Sequence, residues 1–314
     1  MNLTEQIKQK ALDLGFDIVG VTDASPVSTQ HARTFSQWLA AGCAGGMHYM
    51  SRNLDKRLDP AKLLPGAKSI IVVGLNYEPS VDDKQRQGGG KVALYAQYED
   101  YHPFIKTRLH ELAQFIQSST TEDMRFKVCV DSVPIAERAF ATRAALGFIG
   151  KNHMLINPSL GCRLFLGEIV TTLNLEPDTP GSGDCGDCSL CIEACPTGAL
   201  SPDGQFDARR CINYLTIEYK GQIPPDLAAG MADQIFGCEK CIEVCPYQKQ
   251  APPCHNSDFE FHPERARLDL ERILDMDQKS FDSAFADSPI NRPGLDALKR
   301  NARICLQNAR TRRP

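Results

Sequence analysis

The sequence predicts an α+β chain with three parts: a front half of interleaved helices and strands, a cysteine-rich segment, and a short helical tail. Helical and strand periodicities alternate through the first 175 residues. Eight of the thirteen cysteines then crowd between Cys185 and Cys245, and apolar residues return at 3–4 spacing after residue 263. The expected boundaries are 1–176, 177–255 and 256–314.

Residues 3–15 read as an amphipathic helix, with Leu3, Ile7, Ala11 and Leu14 on one side and Gly15 as its stop. A strand is expected over 16–21 and a second helix over 30–41, ended by Gly42. The β-branched run Ser69 to Leu75 reads as a buried strand. Gly88-Gly89-Gly90 reads as a loop, and 102–118 as a helix. A strand over 126–131 is followed by a helix that Pro134 opens and Leu146 closes. Leu164 to Leu173 is the last strand of the front half. The stretch 175–186, rich in Pro, Gly and Asp, reads as a linker, and 263–310 as helical.

Bulk properties narrow the function classes. The net charge of −4 gives no basic excess, so any nucleic-acid contact has to be local. No run reaches the roughly 18 apolar residues that span a bilayer. The N-terminus lacks a basic stretch followed by an apolar one. The expectation is a cytoplasmic protein with no membrane partner. In that compartment, bunched cysteines point to metal or catalysis and not to a disulfide framework.

The spacing says which metal chemistry. Cys185-x2-Cys188-x2-Cys191-x3-Cys195-Pro196 is the run that two-cluster iron–sulfur proteins use. Three thiolates on one turning loop reach three corners of a cube, and the fourth, before Pro, crosses to the other cube. The second run, Cys238-x2-Cys241-x3-Cys245-Pro246, has Ile235 where its first ligand would stand. Cluster 1 is therefore assigned Cys185, Cys188, Cys191 and Cys245. Cluster 2 takes Cys195, Cys238 and Cys241, with Cys211 as the expected fourth ligand and Cys254 as the other possibility. A zinc ribbon is the plainer alternative for paired Cys-x2-Cys. It does not call for the tight triple or the two Cys-Pro endings.

The front half carries no Gly-x-Gly-x-x-Gly after a strand, so a dinucleotide site is not expected. Asp100-Tyr101-His102 matches the start of a His-on cobalamin motif, but Ile105 stands where that motif needs Gly.

Several stretches together resemble the epoxyqueuosine reductase family. They are Val130-Asp131-Ser132-Val133-Pro134-Ile135-Ala136-Glu137-Arg138, Gly147-Phe148-Ile149-Gly150-Lys151-Asn152 and Arg210-Cys211-Ile212-Asn213-Tyr214-Leu215. Gly45-Gly46-Met47-x-Tyr49-Met50 and Arg57-x2-Asp59-Pro60 fit as well. The resemblance implies a nitroreductase-like cobalamin-binding domain, then a two-cluster bacterial-ferredoxin-like domain and a C-terminal helical segment. That last segment is expected to be a shortened form of the family's helical repeat. The implied reaction reduces epoxyqueuosine to queuosine at the wobble position of tRNA, with electrons relayed by two [4Fe-4S] clusters to cobalamin. Implied partners are tRNA carrying epoxyqueuosine and an electron donor such as flavodoxin or ferredoxin; a monomer is expected. A cobalamin-dependent reductive dehalogenase-like enzyme and a pure electron-transfer iron–sulfur protein stand as alternatives.

The same resemblance makes Asp131 the proton donor and names Arg57, Asp131, His153 and Ser159 as cobalamin contacts. Burial at the end of a strand would raise the Asp131 pKa and keep it protonated. Asp is also a favoured helix N-cap, so Asp131 could instead cap the helix that follows. His153, in a loop after two glycines, could equally be an ordinary hydrogen-bonded residue. For RNA, the local positive groups are Lys220, Lys299, Arg300, Arg303, Arg310, Arg312 and Arg313, with a solvated helix end as the plain reading. Cys43, Cys129, Cys162 and Cys305 are expected to be small buried residues.

Overall fold

The computed structural model describes residues 2–80 and 88–311. Among them nine strands run in chain order: β1 Ile18–Asp23, β2 Ser69–Asn76, β3 Gly90–Val92, β4 Phe126–Cys129, β5 Phe148–Ile149, β6 Leu155–Ile156, β7 Leu164–Thr171, β8 Gln234–Phe236 and β9 Arg267–Leu268.

The main sheet is antiparallel, in the order β1-β2-β7-β4. β2 pairs with β7 along its whole length, from Ser69 opposite Thr171 to Asn76 opposite Leu164. Every β2 residue is buried, because alternate side chains enter different cores. Ile71, Val73 and Leu75 pack with the helices Leu3–Asp13 and Tyr101–Ser118. Ile70 and Val72 pack on the other face with Phe140 and Ala141 of the helix Glu137–Arg143. Two-sided burial is why this strand reads as an unbroken apolar run.

Local chemistry sets the helix ends. Asn2 and Glu5 form a reciprocal capping box on the first helix. At Gly20 in β1, a Cβ would stand 1.9 Å from the Ala144 carbonyl oxygen, so a glycine there lets the end of the Glu137–Arg143 helix lie against the sheet.

Three expectations need correction. The helix expected from Pro134 begins only at Glu137. Before it, Ser132 N–H donates to Val130 O (2.5 Å) and Ile135 N–H to Val133 O (2.8 Å), tight turns that replace helical bonds. It ends at Arg143 because Ala145 has a left-handed φ of 65°. The strand expected to reach residue 131 stops at Cys129. The tail is not continuously helical: Leu268 lies in β9, and helices cover Leu270–Asp275, Gln278–Ala284 and Leu295–Thr311.

A second, three-stranded sheet has the order β8-β3-β9. β3 is parallel to β8 and antiparallel to β9. β3 comes from the first third of the sequence, β8 and β9 from the last. Gly90 of the expected glycine loop opens β3, while Gly88 and Gly89 form the bend before it. Around this sheet Ile235, Phe236, Phe281, Leu298 and Ala302 build a separate core. The cysteine segment docks on the front half through Trp38 Nε1 to Phe206 O (2.6 Å), Ala208 N to Cys43 O (3.0 Å) and Gly46 N to the Tyr214 hydroxyl (2.7 Å).

Candidate active site

β4 is an edge strand, and Asp131 stands two residues past its end in a left-handed conformation (φ 49°). Asp131 does not cap the following helix; Ala136 occupies the N-cap position and no side chain caps there. The Asp131 amide instead donates to Glu137 Oε1 at 2.7 Å. Its carboxylate turns the other way. Oδ2 lies 3.1 Å from His102 Nε2 and 3.9 Å from Arg292 Nη1.

His102 is held from behind. Its Nδ1 lies 2.7 Å from Asp100 Oδ1, and the same oxygen accepts the His102 amide (2.9 Å) as N-cap of the Tyr101–Ser118 helix. Burial alone would lower the His102 pKa, but hydrogen bonds and charge from Asp100 and Asp131 raise it to about 9. Arg292 is fixed by Glu218, its Nε donating to Oε1 at 2.8 Å.

These contacts overturn the expected protonation of Asp131. Burial does push its pKa up, but hydrogen bonding and charge from His102, with Arg292 and Tyr101, outweigh it and bring the net below the usual value. The side chain is still 45% exposed, so desolvation is incomplete. At neutral pH the proton of this pair resides on His102.

Behind Asp131 lie two more carboxyls. Burial, then the charge of Asp131, pushes the Glu137 pKa up to about 7. Glu168, opposite Cys129 in the β4–β7 pairing, is fully buried, and neither of its oxygens has a hydrogen-bond partner. Burial, then Glu137 and Asp131, drives its pKa well up, so it is neutral.

The other expected contacts divide. Arg57 reaches the same region: its Nη1 donates to Ile135 O (3.4 Å), and its buried Nε has no partner. His153 sits beside Arg138, which donates to the His153 carbonyl, and its ring meets Phe206 at 5.6 Å. Burial, then Arg138, lowers its pKa, so the imidazole is neutral. Ser159 is exposed in the turn between Asn157 and Gly161, its amide on Asn157 Oδ1 (2.9 Å). No hydrogen bond joins it to Arg57, Asp131 or His153 among the described residues.

The cysteines gather in two groups. Cys185, Cys188, Cys191 and Cys245 line one cavity of about 40 Å³, with Lys151, Asn152 and Tyr247. Lys151 donates its amide to Cys185 Sγ (3.4 Å) and its ammonium to the carbonyls of Gly186 (2.7 Å) and Cys188 (3.0 Å). In the second group burial raises the Cys241 and Cys238 thiols first, and the neighbouring Cys211 and Cys195 add to it in both. Cys254 lies elsewhere, its amide on Glu78 O (2.6 Å) and its thiol near Asn256. No three His, Cys, Asp or Glu side chains among the described residues converge closely enough for a single metal ion. Half-buried Tyr95 donates its hydroxyl to Asn213 Oδ1 (3.3 Å), two residues on from Cys211, and burial pushes its phenol pKa well up. Of the unassigned cysteines, Cys129, Cys162 and Cys305 are buried and Cys43 is half-exposed. Cys162 packs with Cys245 beside the first cavity.

Two positive groups expected at RNA are used internally. Arg300 donates to the carbonyls of Leu215 (2.7 Å), Tyr219 (2.6 Å) and Gly221 (2.9 Å), and Lys220 to Pro293 O (2.9 Å). Both serve chain carbonyls at the end of the Ile212–Ile217 helix and its surroundings. Arg303 and Arg310 are exposed and Lys299 is half-exposed. Arg312 and Arg313 lie outside the described residues.

His102, Arg292, Glu137 and Glu168 were not reached by sequence reasoning. Asp100-Tyr101-His102 was the available signal, since an Asp two residues ahead of a His at a helix start is both cap and charge partner.

No helix among the described residues is long and apolar enough to cross a membrane. Residues 57–132 match the family model "Epoxyqueuosine reductase QueG, DUF1730", and residues 184–248 match that of the 4Fe-4S double cluster binding domain. The chain is 37% identical over 307 residues to the epoxyqueuosine reductase of Cyclobacterium marinum, covering 98% of this chain and 97% of that one. It is 36% identical over 311 residues to the enzyme of Vibrio cholerae, covering 98% and 84% respectively. A crystal structure of epoxyqueuosine reductase with an epoxyqueuosine-modified tRNA-Tyr stem loop superposes with a TM-score of 0.90 at 32% identity, over 98% of this chain and 81% of that one. With this identity sustained from end to end, the chain belongs to the epoxyqueuosine reductase family.

Proposed function

We propose that this chain reduces epoxyqueuosine to queuosine in tRNA, with Asp131 handing a proton to the epoxide oxygen. The observation that carries the reading is the Asp131 carboxylate held between His102 and Arg292. Family membership supports the substrate.

Opening an epoxide to an alkene consumes two electrons and two protons and releases water. Cys185, Cys188, Cys191 and Cys245 are proposed for one [4Fe-4S] cluster. Cys195, Cys211, Cys238 and Cys241 are proposed for the other; together they supply electrons one at a time. A small one-electron carrier such as flavodoxin or ferredoxin is the proposed donor, to a chain acting as a monomer. The residues around Asp131 also fit cobalamin. The partnerless, buried Nε of Arg57 suits an acceptor on such a group, and Arg57, Asp131 and His153 are proposed to hold it. Nothing supports Ser159 in that role. Cobalamin supplies a two-electron reducing centre when bound.

The chain's own residues manage the protons. His102 stores one at neutral pH and passes it through Asp131, the only one of the two carboxylates on His102 that also meets Arg292. Arg292 steadies the charge left on Asp131. The exposed side of Asp131 admits the second proton from water. General acid help of this kind is worth about 10²–10⁴-fold in rate.

The test is anaerobic reconstitution with iron, sulfide and cobalamin, then assay on tRNA carrying epoxyqueuosine. Conversion to queuosine, lost in Asp131→Asn with cofactor loading intact, is expected. Full turnover by Asp131→Asn would remove it from the mechanism.

A further inference from the structure

Asp131 has to meet substrate from a loop, yet its own backbone has no place in the sheet. β4 ends at Cys129, so the Asp131 amide has no ladder partner. Its φ of 49° is a conformation that side-chain-bearing residues keep only when their surroundings hold them there. The turns at 132–130 and 135–133 bond the loop to itself. Arg57 reaches only Ile135, at the far end. The short bond from the Asp131 amide to Glu137 Oε1, 2.7 Å, is what ties the reacting residue's backbone to the body of the fold.

Glu137 is well placed to act as that anchor. It is the first residue of its helix, and Phe140 and Ala141 in the same helix are completely buried. Burial and the Asp131 charge raise its pKa to about 7 against the pull of Arg138 and Arg57, and the neighbouring Glu168 is neutral. The amide bond to Glu137 needs only an acceptor oxygen, which the carboxyl offers in either protonation state.

We propose that Glu137 is the positioning residue for Asp131, its carboxylate latching the 130–136 loop so that the Asp131 side chain faces His102 and the substrate. The inference rests on the reading of Asp131 as the proton hand-off. Glu137 touches no reacting atom; it acts through the backbone of its neighbour.

The test compares holoenzyme carrying Glu137→Ala, Glu137→Gln and Glu137→Met. Two readouts are used: hydrogen–deuterium exchange of the peptide spanning 126–137, and kcat and KM on epoxyqueuosine tRNA. Loss of this bond should speed exchange at Asp131 by roughly 2- to 10-fold. In Glu137→Ala and Glu137→Met, kcat should fall by about tenfold or more, with KM within about twofold. Glu137→Gln keeps an acceptor oxygen and should recover most of the protection and the rate. Glu137→Met fills the same space without an acceptor and decides the matter if Glu137→Ala does not load its clusters. Unchanged exchange in Glu137→Met would overturn the latch, and so would Glu137→Gln behaving like Glu137→Met. Wild-type protein that shows no turnover would count against the proposed function alone, because the exchange comparison still decides the latch.

Discussion

Replacing Asp100 by Asn isolates the charge that sets the proton store. Asn is as good an N-cap as Asp, so the Tyr101–Ser118 helix keeps its cap while His102 loses its nearer carboxylate, 2.7 Å away against 3.1 Å for Asp131. In the native protein the His102 pKa rises from 6.5 to about 9, against a burial cost that acts downward. That rise corresponds to roughly 3 kcal/mol of preference for the imidazolium. Asp100 contributes the larger share, so its neutralisation should remove about 1.5–2 kcal/mol and bring the titration to around pH 8 or below. The assay is the pH profile of kcat/KM on epoxyqueuosine tRNA. Wild type should lose activity through an alkaline limb near pH 9, and Asp100→Asn should show that limb about one pH unit lower. The stability linkage has the same sign. A raised His pKa contributes stability that is present below pH 6.5 and lost as pH rises through about 9. A wild-type limb near pH 6.5, or one that Asp100→Asn leaves in place, would refute the assignment of the stored proton to His102.

Cys211→Ser should cost anaerobically reconstituted protein about half of its iron and one of two cluster signals in electron paramagnetic resonance, whereas Cys254→Ser should cost neither. Equal losses in both would return the fourth ligand to open choice. Gly20→Ala places a Cβ 1.9 Å from the Ala144 carbonyl oxygen and should destabilise by roughly 1–3 kcal/mol or more, read as a lower urea midpoint. Glu168→Leu removes a fully buried carboxyl with no partner; it should stabilise by about 1–3 kcal/mol, read as a higher urea midpoint. Arg303→Ala should weaken tRNA binding and lower its salt dependence by about one counterion. Arg300→Ala should instead lower stability, because that guanidinium serves three chain carbonyls.

What could be read from the chain follows the range of the interactions involved. The cysteine runs are local: their spacing is fixed by the reach of thiolates from one loop, and Cys185, Cys188, Cys191 and Cys245 line one cavity. Cys211 enters as a proposed ligand by counting alone. β2 and β7 were plain because both faces are buried. The expected Asp131 pKa failed because its sign is decided by His102 and Arg292, residues 29 positions before it and far after it in sequence. Glu168 is a lone carboxyl in an apolar strand, and nothing local says that it is buried. The β8-β3-β9 sheet escaped notice because strands of two and three residues carry no periodicity. Arg300 and Lys220 misled because a basic side chain satisfying carbonyls looks the same in sequence as one awaiting phosphate.

The three-stranded sheet has a consequence for biosynthesis. Its central strand emerges early from the ribosome, yet one partner lies among the second set of cysteines and the other beyond it. The front half must therefore wait with a raw edge until nearly the whole chain is made. Pairing over such sequence distance is slow, so this seam closes late in synthesis.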